Sequence, residues 1–301
     1  MRQYDIRFRV TNQGGHGTNA LRKAKGIADL VKPELPIAAG ICVVAGELLA
    51  LGNMPEIDVA VLGFLTGFFV SGFAMISNDY FDLDVDRINR PERPLPSGRV
   101  TVSELVVLSC VFTLCGFVTA LLLGPLLLLV AIVGWAIAFL YNWKYKESGL
   151  PGNLMVSYSV AATFIFGGFA AGRPFDGVVW VFGALAFTFD LGEEIANGVM
   201  DMEGDAKRSV KSIAITRGRR FALRLSAALF AVVVALSFLP YAAGWLEELY
   251  LALIIPTDIL VAYLAFKLLR SRTQEDGRRR TRQLYLTMVF FVVAFIVSNL
   301  V

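Results

Sequence analysis

The chain has 301 residues, of which 56% are hydrophobic and 18% charged, with 23 phenylalanines and a formal net charge of +3. Soluble domains carry about 25% charged residues, so this balance excludes an ordinary soluble protein and indicates a polytopic membrane protein. The small, dispersed charge argues against nucleic acid as a partner, and a single histidine, His16, argues against a zinc or haem site built on imidazole.

Residues 1–32 are polar and lack the apolar core of a signal peptide. They are expected to form a basic cytoplasmic arm, with an interfacial helix around Ala20 to Leu30, and residues 33–301 a single transmembrane domain. A span needs about 20 apolar residues. On that measure the chain is all-α, with nine spans at 33–51, 59–78, 102–122, 125–143, 152–171, 177–199, 221–240, 248–269 and 284–301. Gly124-Pro125, Pro151-Gly152 and Gly172-Arg173-Pro174 punctuate several boundaries. Cys42, Cys110 and Cys115 all fall in apolar segments without metal-ligand spacing, as small core residues do. In the eighth span Pro256 frees backbone groups that Thr257 and Asp258 can satisfy.

Nine spans with the N-terminus inside place every Lys and Arg except Arg173 on the cytoplasmic side. Such an asymmetry is what the positive-inside rule requires of a multi-pass protein of the cell membrane.

The second span runs straight into NDYFDLDVDRINRPERPLPSG, residues 78–98. In a helix Asn78, Asp82 and Asp86 fall within roughly 80° of arc, with Asp84 on the far side. The same spelling recurs 119 positions on, from 78 to 197, 82 to 201 and 86 to 205, as Asn197, Asp201 and Asp205. One Asp-x3-Asp is a weak signal, but two copies at one offset, each closing an apolar span on the cytoplasmic side, indicate a paired site. Four spans separate the copies, so the repeats are parallel, related by an axis along the membrane normal: two four-helix halves plus a ninth helix around a central chamber.

Carboxylate and amide oxygens without His or Cys suit Mg²⁺. Facing aspartates repel unless cations lie between them. Two Mg²⁺ ions would balance Asp82, Asp86, Asp201 and Asp205, and leave the basic residues to meet a diphosphate. Arg87, Arg90, Arg93 and Arg99 follow the first copy, Lys207, Arg208 and Lys211 the second, and Lys144 and Lys146 lie between. Asp190 and Glu194 share the helical face of Asn197 and Asp201, with Asp190 about 16 Å deeper than Asp201. Carboxyls at such depth face a cavity or a partner, so the sixth span is expected to wall the chamber. Asp190 either binds an acceptor or pairs structurally.

NDYFDLDVDRINRPERPLPSGRV resembles the first Asp-rich motif of the UbiA-type intramembrane prenyltransferases, DMEGD followed by SIAITRG resembles the second, and YNWKYKESGLPGN resembles the family's Tyr and Lys loop between helices 4 and 5. The ending NRPERPLPSGR and Glu194-Ile195 ahead of the second motif resemble the archaeal digeranylgeranylglyceryl phosphate synthase branch. Ser209 and Ser212 stand where the family usually has Gly and Thr, and Lys32-Pro33-Glu34-Leu35 replaces its usual Arg-Pro-x-Asn. The resemblance implies Mg²⁺-dependent transfer of an isoprenyl group, geranylgeranyl in that branch, from its diphosphate to geranylgeranylglyceryl phosphate in ether-lipid synthesis. It assigns the metal to Asn78, Asp82, Asp86, Asn197, Asp201 and Asp205, with the four aspartates catalytic. Arg93, Lys146, Lys207 and Tyr141 would meet the diphosphate, and Asp190 and Glu194 the acceptor. Two alternatives stand: an aromatic prenyltransferase making a quinone precursor, and a cation transporter with paired motifs along its pathway.

Overall fold

The computed structural model describes residues 16–207 and 210–300, apart from the side chains of 16–19, 205 and 207, and within them the regular structure is helical. In chain order the helices are α1 (His16–Val31), α2 (Glu34–Leu51), α3 (Ile57–Phe81), α4 (Leu83–Asn89), α5 (Val102–Leu123), α6 (Pro125–Leu140), α7 (Leu150–Ala170), α8 (Gly177–Met200), α9 (Met202–Lys207), α10 (Ile213–Arg217), α11 (Arg219–Leu236), α12 (Leu239–Ala242), α13 (Glu248–Leu269) and α14 (Gln274–Ser298). Nine of these coincide with the expected spans: α2, α3, α5, α6, α7, α8, α11, α13 and α14. Eight of the nine are long and apolar enough to cross a membrane. The remaining one, α8, has 24 residues and interrupts its apolar run with Asp190, Glu193 and Glu194. The nine expected spans are therefore recovered with small shifts at their ends. The largest shift is in α14, which starts at Gln274 rather than 284 and so carries its arginine cluster on a helix.

The two halves repeat their packing. α2 lies on α3, α3 on α5 and α5 on α6; in the same order α7 lies on α8, α8 on α11 and α11 on α13. α14 packs on α13, α8 and α2 and closes the ring. Side chains such as Leu114, Leu122, Leu129, Ile259 and Phe290 remain exposed on the outside, as a surface facing lipid must.

The halves meet where α2 crosses α7. Lipid tails are as apolar as the helices, so association there depends on close backbone approach rather than on water exclusion. A Cβ on Gly46 would stand 2.2 Å from the Phe164 carbonyl oxygen, and one on Gly167 would stand 2.2 Å from that of Val43. Only glycine permits both contacts.

Arg173, the exception to the charge asymmetry, is fully employed. Its Nη1 donates to the Ala50 carbonyl at 2.9 Å, capping the last turn of α2 with positive charge. α13 runs on through Pro256, and Thr257 Oγ1 donates a back-bond to the Leu253 carbonyl (2.7 Å), not to the Ala252 carbonyl four residues before the proline. Asp258 does something else: it accepts from Ser237 Oγ (2.6 Å), tying α13 to the end of α11. The arm also has structure. α1 buries Leu30 and Val31 against Phe73, Ile76, Leu95 and Val100, which fastens the loop after α4 to α3.

Gly46→Ala or Gly167→Ala is expected to cost about 1–3 kcal/mol through overpacking, read as a lower thermal midpoint in detergent. Gly134→Ala on α6, where a Cβ meets nothing within 4 Å, is the control and should not fall. An equal drop in all three would refute the crossing as the cause.

Candidate active site

Both repeated segments leave their helices at the middle aspartate. α3 ends at Phe81 and Asp82 takes φ −87°, ψ −3°; α8 ends at Met200 and Asp201 takes φ −102°, ψ 1°. Both lie in the sparsely populated bridge region, a conformation frequent at active sites. The amides of Asp82 and Asp201 each donate to the asparagine carbonyl four residues back, at 3.0 Å, before the short helices α4 and α9 resume. The expected single helix is thus interrupted at the same point in each copy, although in the first the Asp86 amide still donates to the Asp82 carbonyl at 2.8 Å.

In the first copy every carboxylate is paired. Asp82 Oδ2 bonds Lys146 Nζ. Asp86, 5% exposed, bonds Arg93 Nη1 at 2.7 Å. Asp84 stays in solvent with Arg87 (2.8 Å), as expected of the off-face acid. The Asn78 carboxamide fits with its oxygen 2.9 Å from Lys146 Nζ and its nitrogen 3.2 Å from Asp82 Oδ2, giving the ammonium an acceptor and the carboxylate a donor.

Lys146 reaches Asp82 because the end of α6 widens. Tyr141–Tyr145 form a π turn, and the Lys146 amide donates to the Tyr141 carbonyl at 2.9 Å. The turn is pinned to α3 by Asn142 Nδ2, which donates to the Ala74 carbonyl and to Ser77 Oγ, both at 2.9 Å. The loop then runs beneath the one that follows the second motif, where the Lys211 amide donates to the Glu147 carbonyl (3.2 Å). At their contact Gly149 takes φ +76°, and the Lys211 carbonyl oxygen lies 1.9 Å from where a Cβ would be. Ser212 caps α10, its Oγ accepting from the Ile215 amide (3.3 Å), a role threonine can also fill.

In the second copy Asp201 bonds Arg278 of α14 at 2.7 Å. The side chains of Asp205 and Lys207 lie outside the described residues. Asn78 and Asn197, the first members of the two copies, line one chamber of about 740 Å³, together with Tyr141, Asp190 and Glu194. Asp190 accepts from Ser157 Oγ at 2.8 Å, so it has a structural partner while facing the cavity. Among the described residues no three acids, histidines or cysteines are grouped closely enough to share a metal ion. Asp82, Asp86 and Asp201 are each turned onto a cation.

Three participants lie outside the repeat. Asp79, 3% exposed, accepts from Lys32 Nζ (2.8 Å) and Arg93 Nη1 (3.4 Å), and so positions the arginine that holds Asp86. It stands one residue off the Asn-x3-Asp register, and that periodicity hid it. Glu193 lines the chamber beside Glu194. Arg278 is brought in by the longer α14, for which the polar sequence ahead of the ninth span gave only the charge cluster.

Residues 39–297 match the UbiA prenyltransferase family. A digeranylgeranylglyceryl phosphate synthase from Thermococcus kodakarensis is 34% identical, over 92% of this chain and 99% of that protein. A solved structure of digeranylgeranylglyceryl phosphate synthase in membranes superimposes with TM-score 0.75 at 32% identity, over 92% of this chain and 98% of that one. A UbiA homologue from Archaeoglobus fulgidus bound to GPP and Mg²⁺ shares the fold at TM-score 0.64 and 21% identity, over 90% of this chain and 99% of that one. The chain is a member of the UbiA prenyltransferase family.

Proposed function

We propose that the protein transfers a geranylgeranyl group from its diphosphate to the glycerol hydroxyl of geranylgeranylglyceryl phosphate, forming an ether bond. The observation that carries this reading is two Asn-x3-Asp segments, broken alike at the middle aspartate, opening on one apolar chamber. The named relatives supply the substrate class. The charge distribution supports a cytoplasmic N-terminus and a cytoplasmic mouth for the chamber.

The donor set fits a hard divalent cation: carboxylate and amide oxygens of Asn78, Asp82, Asp86, Asn197, Asp201 and Asp205, with imidazole and thiolate absent from the set. Mg²⁺ held there would neutralise the leaving diphosphate, and the number of ions is proposed as two. Lys146 and Arg93 sit on motif carboxylates. When the diphosphate enters they can turn to its oxygens, and Lys207, which follows the second motif in sequence, is assigned to the same anion. The allylic C–O bond then breaks with its electron pair leaving on the diphosphate. The chamber wall keeps water from the electron-poor carbon, and the ring of Tyr141 faces the cavity from the mouth. The glycerol oxygen bonds to that carbon and gives up its proton to a base; Asp190 and Glu194, inward of Asn197, are assigned to binding the acceptor, and their carboxylates offer that base.

The test is incubation of purified protein with labelled geranylgeranyl diphosphate, Mg²⁺ and a panel of acceptors. Ether lipid is the expected product. Product formed only with hydroxylated aromatics would replace this reading with quinone-precursor synthesis.

Asp82→Ala and Asp201→Ala should each lower transfer more than 100-fold. Each change also removes an ion pair, to Lys146 or to Arg278, while backbone amides still close both helix ends, so a modest fall in the thermal midpoint with the fold retained is expected. Full activity in either variant would refute the metal role. Lys146→Met should lower kcat by roughly 100-fold, as removal of one preorganised donor does. Chelation by EDTA should stop transfer and added Mg²⁺ restore it; transfer undiminished in excess EDTA would exclude the metal.

A further inference from the structure

A phosphorylated lipid acceptor brings its own anion to a site already built around a diphosphate. Lys146, Arg93, Lys32 and Arg278 are each bonded to a carboxylate of the two motif regions. Among the described residues the charged side chains lining the chamber are Asp190, Glu193, Glu194, Asp258 and one cation, Arg282. Unlike Arg278 and Arg280, which bond Asp201 and Asp276, Arg282 forms no ion pair or hydrogen bond among the described residues, and its side chain is exposed.

Its place on α14 is informative. Arg282, Tyr285, Met288, Val289 and Val292 all line the chamber and follow helical spacing, so they form one stripe. Arg282 heads that stripe, about 6 Å along the axis from Arg278 and about 4.5 Å from Tyr285. The stripe therefore begins with a guanidinium one turn beyond Arg278, the partner of Asp201, and continues as apolar wall into the chamber. An amphiphile with a phosphate head and an isoprenoid tail matches that order. The cation that opens α2, Lys32, is committed to Asp79.

We propose that Arg282 binds the phosphate of the acceptor lipid and orients its glycerol hydroxyl toward the donor carbon. This rests on the acceptor class proposed above. An arginine that merely extends toward the membrane surface would make no such distinction among lipids.

The experiment compares binding of geranylgeranylglyceryl phosphate and of geranylgeranylglycerol, which lacks the phosphate, to the purified full-length protein without donor. The wild type should prefer the phosphorylated lipid by roughly 10- to 100-fold, the scale of a charge-assisted hydrogen bond. Arg282→Gln should collapse that preference and Arg282→Lys recover part of it. A preference that survives in Arg282→Gln, or an equal loss of affinity for both lipids, would overturn the assignment. Turnover assayed in parallel separates the two readings. An Arg282-dependent preference in a wild type that forms no ether would sustain the phosphate site while the reaction assignment falls.

Discussion

Carboxylates gathered at a membrane edge repel one another, and every described acid of the two motifs' shared face is met by a cation from another part of the chain. Asp82 takes Lys146 from the turn after α6, Asp86 takes Arg93 from the loop after α4, and Asp201 takes Arg278 from α14. Because each pair joins separate elements, neutralising the charge also assembles the mouth. Buried Asp79 extends the network by gathering Arg93 and Lys32, which ties the arm's junction with α2 to the first motif. A charged substrate entering such a mouth can exchange partners with cations already held in place.

The second constraint is the repeat. Two halves that pack in the same order place equivalent helices, α3 and α8, on the same chamber, and both helices break at the same residue of the motif. Glycine contacts between α2 and α7 let the halves approach closely. The chamber is therefore mostly apolar, with Asn78, Glu193, Glu194 and Asn197 toward the end where the two broken helices stop and Asp190 and Asp258 deeper in its wall. Such a lining is what an amphiphilic substrate needs, and its apolar part is equally what keeps water from an electron-poor carbon.

Much of this was legible from residue order. Span length, Gly/Pro punctuation and the asymmetry of Lys and Arg located nine helices, and the 119-position offset identified the repeat. Departures arose where a local rule met a tertiary demand. Gln274 to Arg282 are too polar to read as a span, yet they continue α14 because Arg278 has Asp201 to reach and Gly277 sits against Met200. Asp79 was hidden because a periodic face admits only every third or fourth residue, whereas burial selects by neighbours.

Composition, periodicity and repetition by themselves determined the membrane class, the helix count, the location of both Asp-rich segments and the clustering of cations around them, since each follows from interactions along a helix or with the bilayer. Only the tertiary structure decided which cation meets which carboxylate, the break at Asp82 and Asp201, the π turn that aims Lys146, and the placing of Arg282 in the chamber wall. Those depend on distances between residues far apart in the chain, and no local pattern encodes them.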